Sequence, residues 1–183
     1  MRLALCLLLL LSAPAAVAGD YVSQKGSSLG FTATYQGESF EGAFATFTPV
    51  IRFDPATLAD SRFDVRIALA SAGTQNAERD EMLLGSEFFD AGAAPEARYV
   101  ATRFRALGGN RYVADGTLTL RGISQPVPLT FSWQPGAQPV LTGEAKLSRL
   151  AFNVGSGDWT DTELLPDDVV VRTRLVLAPA AKP

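Results

Sequence analysis

A serine motif is the first feature of this sequence that could carry chemistry. The run Gly26-Ser27-Ser28-Leu29-Gly30 fits G-x-S-x-G, the nucleophile elbow of α/β-hydrolases. That elbow needs a strand-to-helix turn and a histidine base, yet the chain contains no histidine and the run leads directly into a predicted strand. The sequence therefore indicates a chance match in a turn.

Carboxylate pairs are the second feature that could do chemistry, either as acid and base or as calcium ligands. The pairs are Asp80-Glu81, Asp158 with Asp161, and Asp167-Asp168. Their spacing matches no metal-binding loop, and acidic residues in turns usually face solvent or cap the local backbone. The only cysteine, Cys6, lies in a predicted leader. We therefore expect no catalytic residue, no metal and no cofactor, and a protein that acts by binding.

The N-terminal residues predict a cleavable export signal over residues 1–18. Arg2 gives a positive start, Leu3 to Leu11 is an apolar run, and Ala16-Val17-Ala18 is typical of a cleavage site. The apolar run is far shorter than the ~20 residues of a membrane-spanning helix, and no later stretch approaches that length. Residues 19–183 are therefore expected to form a single periplasmic domain that is not an integral membrane protein.

Charge and cysteine content narrow the possible partners. The chain has 16 Lys and Arg residues, one of them in the leader, against 19 Asp and Glu residues, with both signs interspersed. Nucleic acid is therefore not an expected partner. Without cysteine pairs, an exported chain must be stabilised by burial alone, which requires a full-sized core.

The distribution of apolar residues from Leu29 onward predicts an all-β fold, because apolar and polar residues alternate along extended segments. The predicted strands are Leu29 to Tyr35, Phe40 to Phe53 with a break at Pro49, Arg62 to Ala70, Val100 to Ala106, Arg111 to Leu120, Val127 to Trp133, Leu141 to Leu147 and Val169 to Leu177. Thr74 to Leu84 lacks alternation and predicts a short helix, with Thr74 or Asn76 as N-cap and Gly85 at its end. Turn residues between the runs favour an eight-stranded antiparallel barrel with a short helix after the fourth strand.

A barrel of this size either packs solid or holds one small ligand. Several inward positions near the middle of the predicted strands carry small residues. They are Ala114, Gly116, Gly143 and Ala145, extended by Ala33 and Gly42. This pattern predicts an elongated apolar cavity, although strand glycines are also typical of bulges and barrel corners in a solid interior.

Short segments in a characteristic order resemble one known family. The segments are Phe40-Glu41-Gly42-Ala43-Phe44, Ile51-Arg52-Phe53-Asp54-Pro55, Thr74 with Arg79-Asp80 and Leu83, Phe88-Phe89-Asp90 with Pro95, Gly116 to Gly122 with Pro126-Val127, and Arg149 with Phe152, Val154 and Gly155. They resemble the YceI-like family of exported, lipocalin-like polyisoprenoid-binding proteins. The resemblance implies one lipocalin-like barrel over residues 19–183 that binds, sequesters or transports an isoprenoid lipid in the periplasm without catalysis.

A finer resemblance concerns the ligand and a partner. Gly157-Asp158-Trp159 resembles a branch of the family linked to cytochrome b561-type membrane proteins, which implies an isoprenoid quinone as the bound lipid. The chain departs from many relatives in having Ser27-Ser28 where a histidine precedes the first strand, and Asn153 where glycine is common. A polar ligand contact by that histidine is therefore not expected here.

The expected binding wall consists of inward apolar residues of the barrel and its loops. They are Phe31, Phe40, Phe44, Phe53, Phe63, Val65, Ile67, Leu69, Leu83, Phe88, Phe89, Phe104, Ala114, Gly116, Leu118, Leu120, Phe131, Trp133, Gly143, Ala145, Leu147, Phe152 and Trp159. Arg121 and Arg149 lie near strand ends and are candidate contacts to an anionic or quinone head group. A solvated surface arginine is the alternative interpretation of either residue.

Other function classes stay open from the sequence. A ligand-free protein-interaction module, or a stress-related accessory protein of a cytochrome b561-type membrane partner, could use the aromatic segment Glu87 to Asp90 as its contact surface. A membrane-embedded barrel would need strands of about 9 to 11 residues, whereas several predicted runs are shorter.

Overall fold

The computed structural model describes residues 20–180, and its alternating segments form eleven antiparallel strands. The strands are β1 (Tyr21–Ser23), β2 (Ser28–Tyr35), β3 (Glu38–Phe44), β4 (Phe47–Arg52), β5 (Arg62–Ala68), β6 (Ala72–Gly73), β7 (Glu96–Gly108), β8 (Arg111–Leu120), β9 (Ile123–Gln134), β10 (Val140–Ser148) and β11 (Asp168–Pro179). One helix, α1 (Ala77–Leu84), lies between β6 and β7. The predicted export signal and Cys6 lie outside the described residues.

The sheet closes into a barrel through β1, which pairs with both β4 and β11. Three strands are bent and change partners along their length. β1 and β2 form the first bent strand, and both pair with β11. β3 and β4 form the second, in which β3 pairs with β2 and β4 pairs with β1. β5 and β6 form the third, in which β5 pairs with β4 and β6 pairs with β3. With each bent strand counted once, eight strands surround the interior, which confirms the predicted antiparallel barrel.

Two details differ from the sequence-based expectation. The second bent strand breaks at Ala45 and Thr46, whereas Pro49 lies inside β4 and pairs with Val65. Proline is tolerated there because β1 pairs only with Val50 and the residue after it, so β4 is locally an edge strand at Pro49. Since residues 38–52 act as one strand, α1 follows the third strand of the barrel rather than the fourth.

The termini of α1 and the turn between β8 and β9 agree with the expected local signals. The side chain of Asn76 accepts a hydrogen bond of 2.9 Å from the backbone N–H of Arg79, and Gly85 is the C-cap. Arg121 and Gly122 join β8 to β9 with φ values of 51° and 73°, the left-handed pair required by a two-residue type I′ hairpin.

The interior is packed differently at the two ends of the barrel. One end, here called the aromatic end, is filled by a cluster around Phe53, whose ring centroid lies 4.9 Å from Tyr112, 5.1 Å from Phe131 and 5.0 Å from Trp133. The other end, here called the loop end, is covered by α1 and by segments 85–95 and 149–167. The two ends carry separate clusters of buried apolar residues.

A buried arginine holds the covering segments at the loop end. Arg149 is 3% exposed, and all five of its N–H groups donate to backbone carbonyls. The acceptors are the carbonyls of Val154 (2.9 Å), Gly155 (3.1 Å), Trp159 (2.7 Å), Leu165 (2.6 Å) and Pro166 (3.1 Å). Burial lowers the pKa of the Arg149 guanidinium, and the charge of Asp167 opposes that effect. The guanidinium therefore closes the β10–β11 connection into a fixed cap.

We expect the Arg149→Met variant to lose about 3 kcal/mol or more of unfolding free energy, because five carbonyls then lose their donor. Urea unfolding followed by tryptophan fluorescence measures the loss. Arg172→Met is the matched control: Arg172 pairs with Glu144 in solvent, with both side chains more than half exposed, so its loss should stay below about 1 kcal/mol. Equal losses in the two variants would contradict the structural role of Arg149.

Candidate ligand-binding cavity

The barrel interior contains an apolar cavity of about 190 Å³ that lies toward the loop end and reaches residues of the aromatic end such as Phe63 and Leu141. Its wall is formed by inward residues of the strands together with Leu83 of α1 and the adjacent Phe88 and Phe89. The inward side chains of Val65, Ile67, Leu129, Leu147 and Val171 remain only half-buried although they point into the barrel. Their exposure reflects empty space beside them. An apolar wall around an enclosed space is the usual form of a small-molecule site.

Most of the side chains predicted from the sequence as binding wall do line this cavity. They are Phe31, Phe40, Phe44, Phe63, Val65, Ile67, Leu69, Leu83, Phe88, Phe89, Leu118, Leu120, Ala145 and Leu147. They are brought together from five strands (β2, β3, β5, β8 and β10), the 3-10 turn Leu69–Ser71, α1 and the segment after it. Phe88 and Phe89 are 7% and 8% exposed, so segment 87–90 turns its aromatic residues inward and presents no apolar contact surface.

The structure places the other predicted wall residues away from the cavity. They are Phe53, Phe104, Ala114, Gly116, Phe131, Trp133, Gly143, Phe152 and Trp159. Phe53, Phe131 and Trp133 belong to the aromatic end, where rings fill the interior. Trp159 packs within the cap, where its indole N–H donates to Glu87 Oε2 at 3.0 Å and its ring lies 5.3 Å from Phe88.

The strand glycines are not the origin of the cavity. A Cβ added at Gly116 would overlap the ring of Tyr99, and one added at Gly42 would overlap the ring of Phe31. At Gly143 it would lie 3.0 Å from Leu129 Cδ1. The volume that the small residues were expected to leave empty is therefore filled by large side chains of neighbouring strands, as is common for glycine in sheets.

Tyr99 is the main polar side chain deep in the cavity wall. Its hydroxyl lies 3.2 Å from the carbonyl oxygen of Ala114 and 3.1 Å from that of Val127. Burial, with a smaller contribution from Asp115, raises the pKa of the Tyr99 hydroxyl. The hydroxyl therefore stays protonated at physiological pH and donates its hydrogen bond to a backbone carbonyl of the barrel.

The two arginines predicted as head-group contacts donate mainly to the protein backbone. Arg149 touches the cavity wall, but its five N–H groups are all engaged by carbonyls of the cap. Arg121 lies outside the wall and donates to the carbonyls of Ser86 (2.9 Å), Phe88 (2.7 Å) and Asn153. Together they tie the segment after α1 to the β10–β11 cap.

Several wall residues were missed from the sequence. They are Leu29, Ile51, Ala97, Tyr99, Val127, Leu129, Leu141, Val154, Leu165, Val169, Val171, Thr173 and Leu175, whereas Ala33, one of the small inward residues predicted beside the cavity, also lines it. The alternation that predicted β11 already places Val169, Val171, Thr173 and Leu175 on one face. Tyr99 lies just before the start predicted for its strand, because β7 begins at Glu96.

The site is suited to holding an apolar chain. Within residues 20–180, no carboxylate lines the cavity and no group of three or more potential metal ligands occurs. None of the helices in this part of the chain is long and apolar enough to cross a membrane. The wall can therefore supply dispersion contacts along the length of a hydrocarbon.

Comparison with known proteins places this barrel in a family. The YceI-like domain matches residues 21–177. A UPF0312 protein of Vibrio parahaemolyticus is 32% identical over 163 residues, covering 81% of this chain and 86% of the relative.

Solved structures show the same barrel. BcnA of Burkholderia cenocepacia superposes with a TM-score of 0.79 at 32% identity, covering 82% of this chain and 95% of BcnA. A polyisoprenoid-binding domain from Saccharophagus degradans superposes with a TM-score of 0.68 at 15% identity over 90% of this chain and 100% of that domain, which shows the shared fold. The chain belongs to the YceI-like family.

Proposed function

We propose that this protein binds the hydrocarbon chain of an isoprenoid lipid in its barrel cavity and sequesters or carries it without catalysis. The observation that carries the proposal is the apolar cavity at the loop end, lined by inward residues of the barrel and bounded by the solid aromatic end. The fold shared with the Saccharophagus degradans polyisoprenoid-binding domain supports this choice of ligand class. The YceI-like family consists of binding barrels rather than enzymes, in agreement with a non-catalytic protein.

Finer parts of the proposal rest on the sequence. The predicted signal over residues 1–18 supports a periplasmic location. The run Gly157-Asp158-Trp159 supports an isoprenoid quinone as ligand and a cytochrome b561-type membrane partner. In the structure this run forms part of the 3-10 turn Gly157–Thr160, on the cap above the cavity.

Cavity size sets the expected binding mode. A volume of about 190 Å³ is below the ~300 Å³ at which small-molecule pockets usually begin. A long prenyl chain would therefore either extend beyond the cavity or displace part of the cap. Burying about 500 Å² of such a chain contributes on the order of 12 kcal/mol, against association costs of about 4 to 15 kcal/mol. We therefore expect moderate affinity, which suits a carrier that must release its lipid.

Filling the cavity tests the proposal directly. Val171 lies in the wall, in register with Phe31 and Ala145 of the strands on either side. The Val171→Phe variant should bind geranylgeraniol at least about tenfold more weakly, because an inserted ring costs about 1 to 3 kcal/mol of packing or displaces the ligand. Ala145→Leu should act in the same direction. Both affinities are measured by titrating geranylgeraniol against a bound fluorescent lipid probe and following the displacement of the probe.

The matched control is Val170→Phe, since Val170 is the adjacent residue of β11 and lies outside the cavity wall. Its affinity for geranylgeraniol should equal that of the wild type. All three variants should keep the circular dichroism spectrum of the barrel. If the cavity variants bind geranylgeraniol as tightly as the wild type does, the cavity is not the binding site.

The natural ligand can be sought without assuming its identity. Native mass spectrometry of the protein purified from the periplasm of its own cells, followed by organic extraction, should show one bound prenyl species per chain. The same preparation of Val171→Phe should lose that species. An empty wild-type chain would count against lipid carriage and favour the interaction-module alternative.

A further inference from the structure

Arg79 of α1 lies against the cavity wall, although it does not itself line the cavity. Arg79 and Leu83 are one helical turn apart and share a face of α1. Leu83 lines the cavity, as does Phe40 of β3. The guanidinium carbon of Arg79 lies 4.3 Å from the centroid of the Phe40 ring. The cation is thus stacked on a wall residue at the rim of the apolar space.

The orientation of Arg79 is fixed through one nitrogen only. Its Nε donates to Thr74 Oγ1 at 2.9 Å, and the Thr74 hydroxyl in turn donates to Asp80 Oδ1 at 2.6 Å. Thr74 is 6% exposed, so this anchor is buried. Across residues 20–180, the Nη1 and Nη2 groups of Arg79 make no hydrogen bond to protein and no carboxylate pairs with it.

Arg79 therefore differs from the two other arginines at the loop end. Arg149 uses every donor on cap carbonyls, and Arg121 uses both of its terminal nitrogens on carbonyls of the covering segments. Arg79 alone of these three keeps two adjacent nitrogens unpaired beside the cavity wall. An arginine held by Nε with a free terminal pair is preorganised to donate to an oxygen atom.

The surrounding charge indicates which kind of oxygen fits. Segment 74–95 carries five carboxylates and one arginine, and segment 149–167 carries four carboxylates and one arginine. These segments cover the loop end, so the local potential there is negative. A phosphate or diphosphate would have to enter against that potential, whereas a hydroxyl, phenol or quinone carbonyl carries no charge to be repelled.

We propose that Arg79 donates a hydrogen bond to the neutral oxygen of the lipid's head group, and so fixes the chain with its tail in the cavity and its head at the α1 rim. This inference rests on the proposed function, because it requires the prenyl chain in the cavity. It assigns the head-group contact to Arg79 instead of Arg121 or Arg149, the two arginines predicted from the sequence.

The test uses three probes that share one C20 prenyl chain and differ only at its end: geranylgeraniol, geranylgeranyl phosphate and the corresponding hydrocarbon. Dissociation constants are measured for the exported wild-type protein and for Arg79→Met, which keeps an apolar side chain over Phe40. The variant should bind the alcohol about tenfold more weakly, the loss expected for a hydrogen bond from a charged donor. Hydrocarbon affinity should change less than twofold, and the wild type should bind the phosphate no more tightly than the alcohol.

Two further variants separate ligand contact from charge and from folding. Arg66→Met removes an exposed arginine on the outer face of β5 that pairs with Glu96, and it should leave all three affinities unchanged. Arg79→Lys keeps the charge but loses the paired donors, and it should recover only part of the alcohol affinity. It also provides the measurement if Arg79→Met fails to fold.

The outcomes distinguish this inference from the function on which it rests. Equal weakening of alcohol and hydrocarbon in Arg79→Met would show a purely structural role and overturn the head-group contact. A larger loss for the phosphate, with tighter wild-type binding of it, would overturn the neutral head group. If the wild type binds the hydrocarbon but Arg79→Met leaves the alcohol unaffected, the inference fails while the proposed function stands. Binding of none of the probes by the wild type would overturn both.

Discussion

The rest of this structure depends on one constraint: side chains fill the barrel interior at the aromatic end and leave it hollow at the loop end. Closure through β1 joins the two sides of the sheet and encloses a space of limited width. At the aromatic end, Phe53 packs against five other rings, and these rings occupy the interior there. At the loop end, smaller aliphatic residues such as Ala97 and Val171 leave a cavity. The solid half stabilises the barrel, so that the other half can remain hollow without loss of the fold.

The cap makes the hollow half possible. A barrel end without side-chain filling would expose apolar wall to water, and α1 with the β10–β11 connection covers it. Arg149 and Arg121 hold these irregular segments through backbone carbonyls, and Glu87 accepts from the Trp159 indole and from the backbone of residues 155 and 156. These hydrogen bonds are separate from the ladders that pair the strands, so breaking them would leave the sheet paired. Ligand entry at this end is therefore compatible with a rigid barrel.

The glycines show why a pattern of small residues is a poor measure of empty space. Gly116 and Gly42 do lie on the inward face, as alternation indicated. The rings of Tyr99 and Phe31 lie directly over them, so these glycines permit close packing of aromatic side chains. Cavity volume depends on the sum of side chains reaching one point from several strands, and no single strand contains that information.

Periodicity and turn chemistry in the sequence by themselves determined the antiparallel barrel, its strand faces, and the end of α1 at Gly85, because these depend on neighbours in the chain. The N-cap of α1 was limited to Thr74 or Asn76, and the structure shows that it is Asn76. The partner change within β3–β4 and the place of Pro49 were decided by tertiary structure, since an edge position exists only once strands have paired. The same holds for the site. Alternation identified only part of the wall, because the choice between the filled aromatic end and the hollow loop end arises from contacts between residues far apart in sequence. The contrast between saturated Arg149 and unpaired Arg79 arises from how the cap folds around Arg149, whose acceptors lie 5 to 17 residues further along the chain.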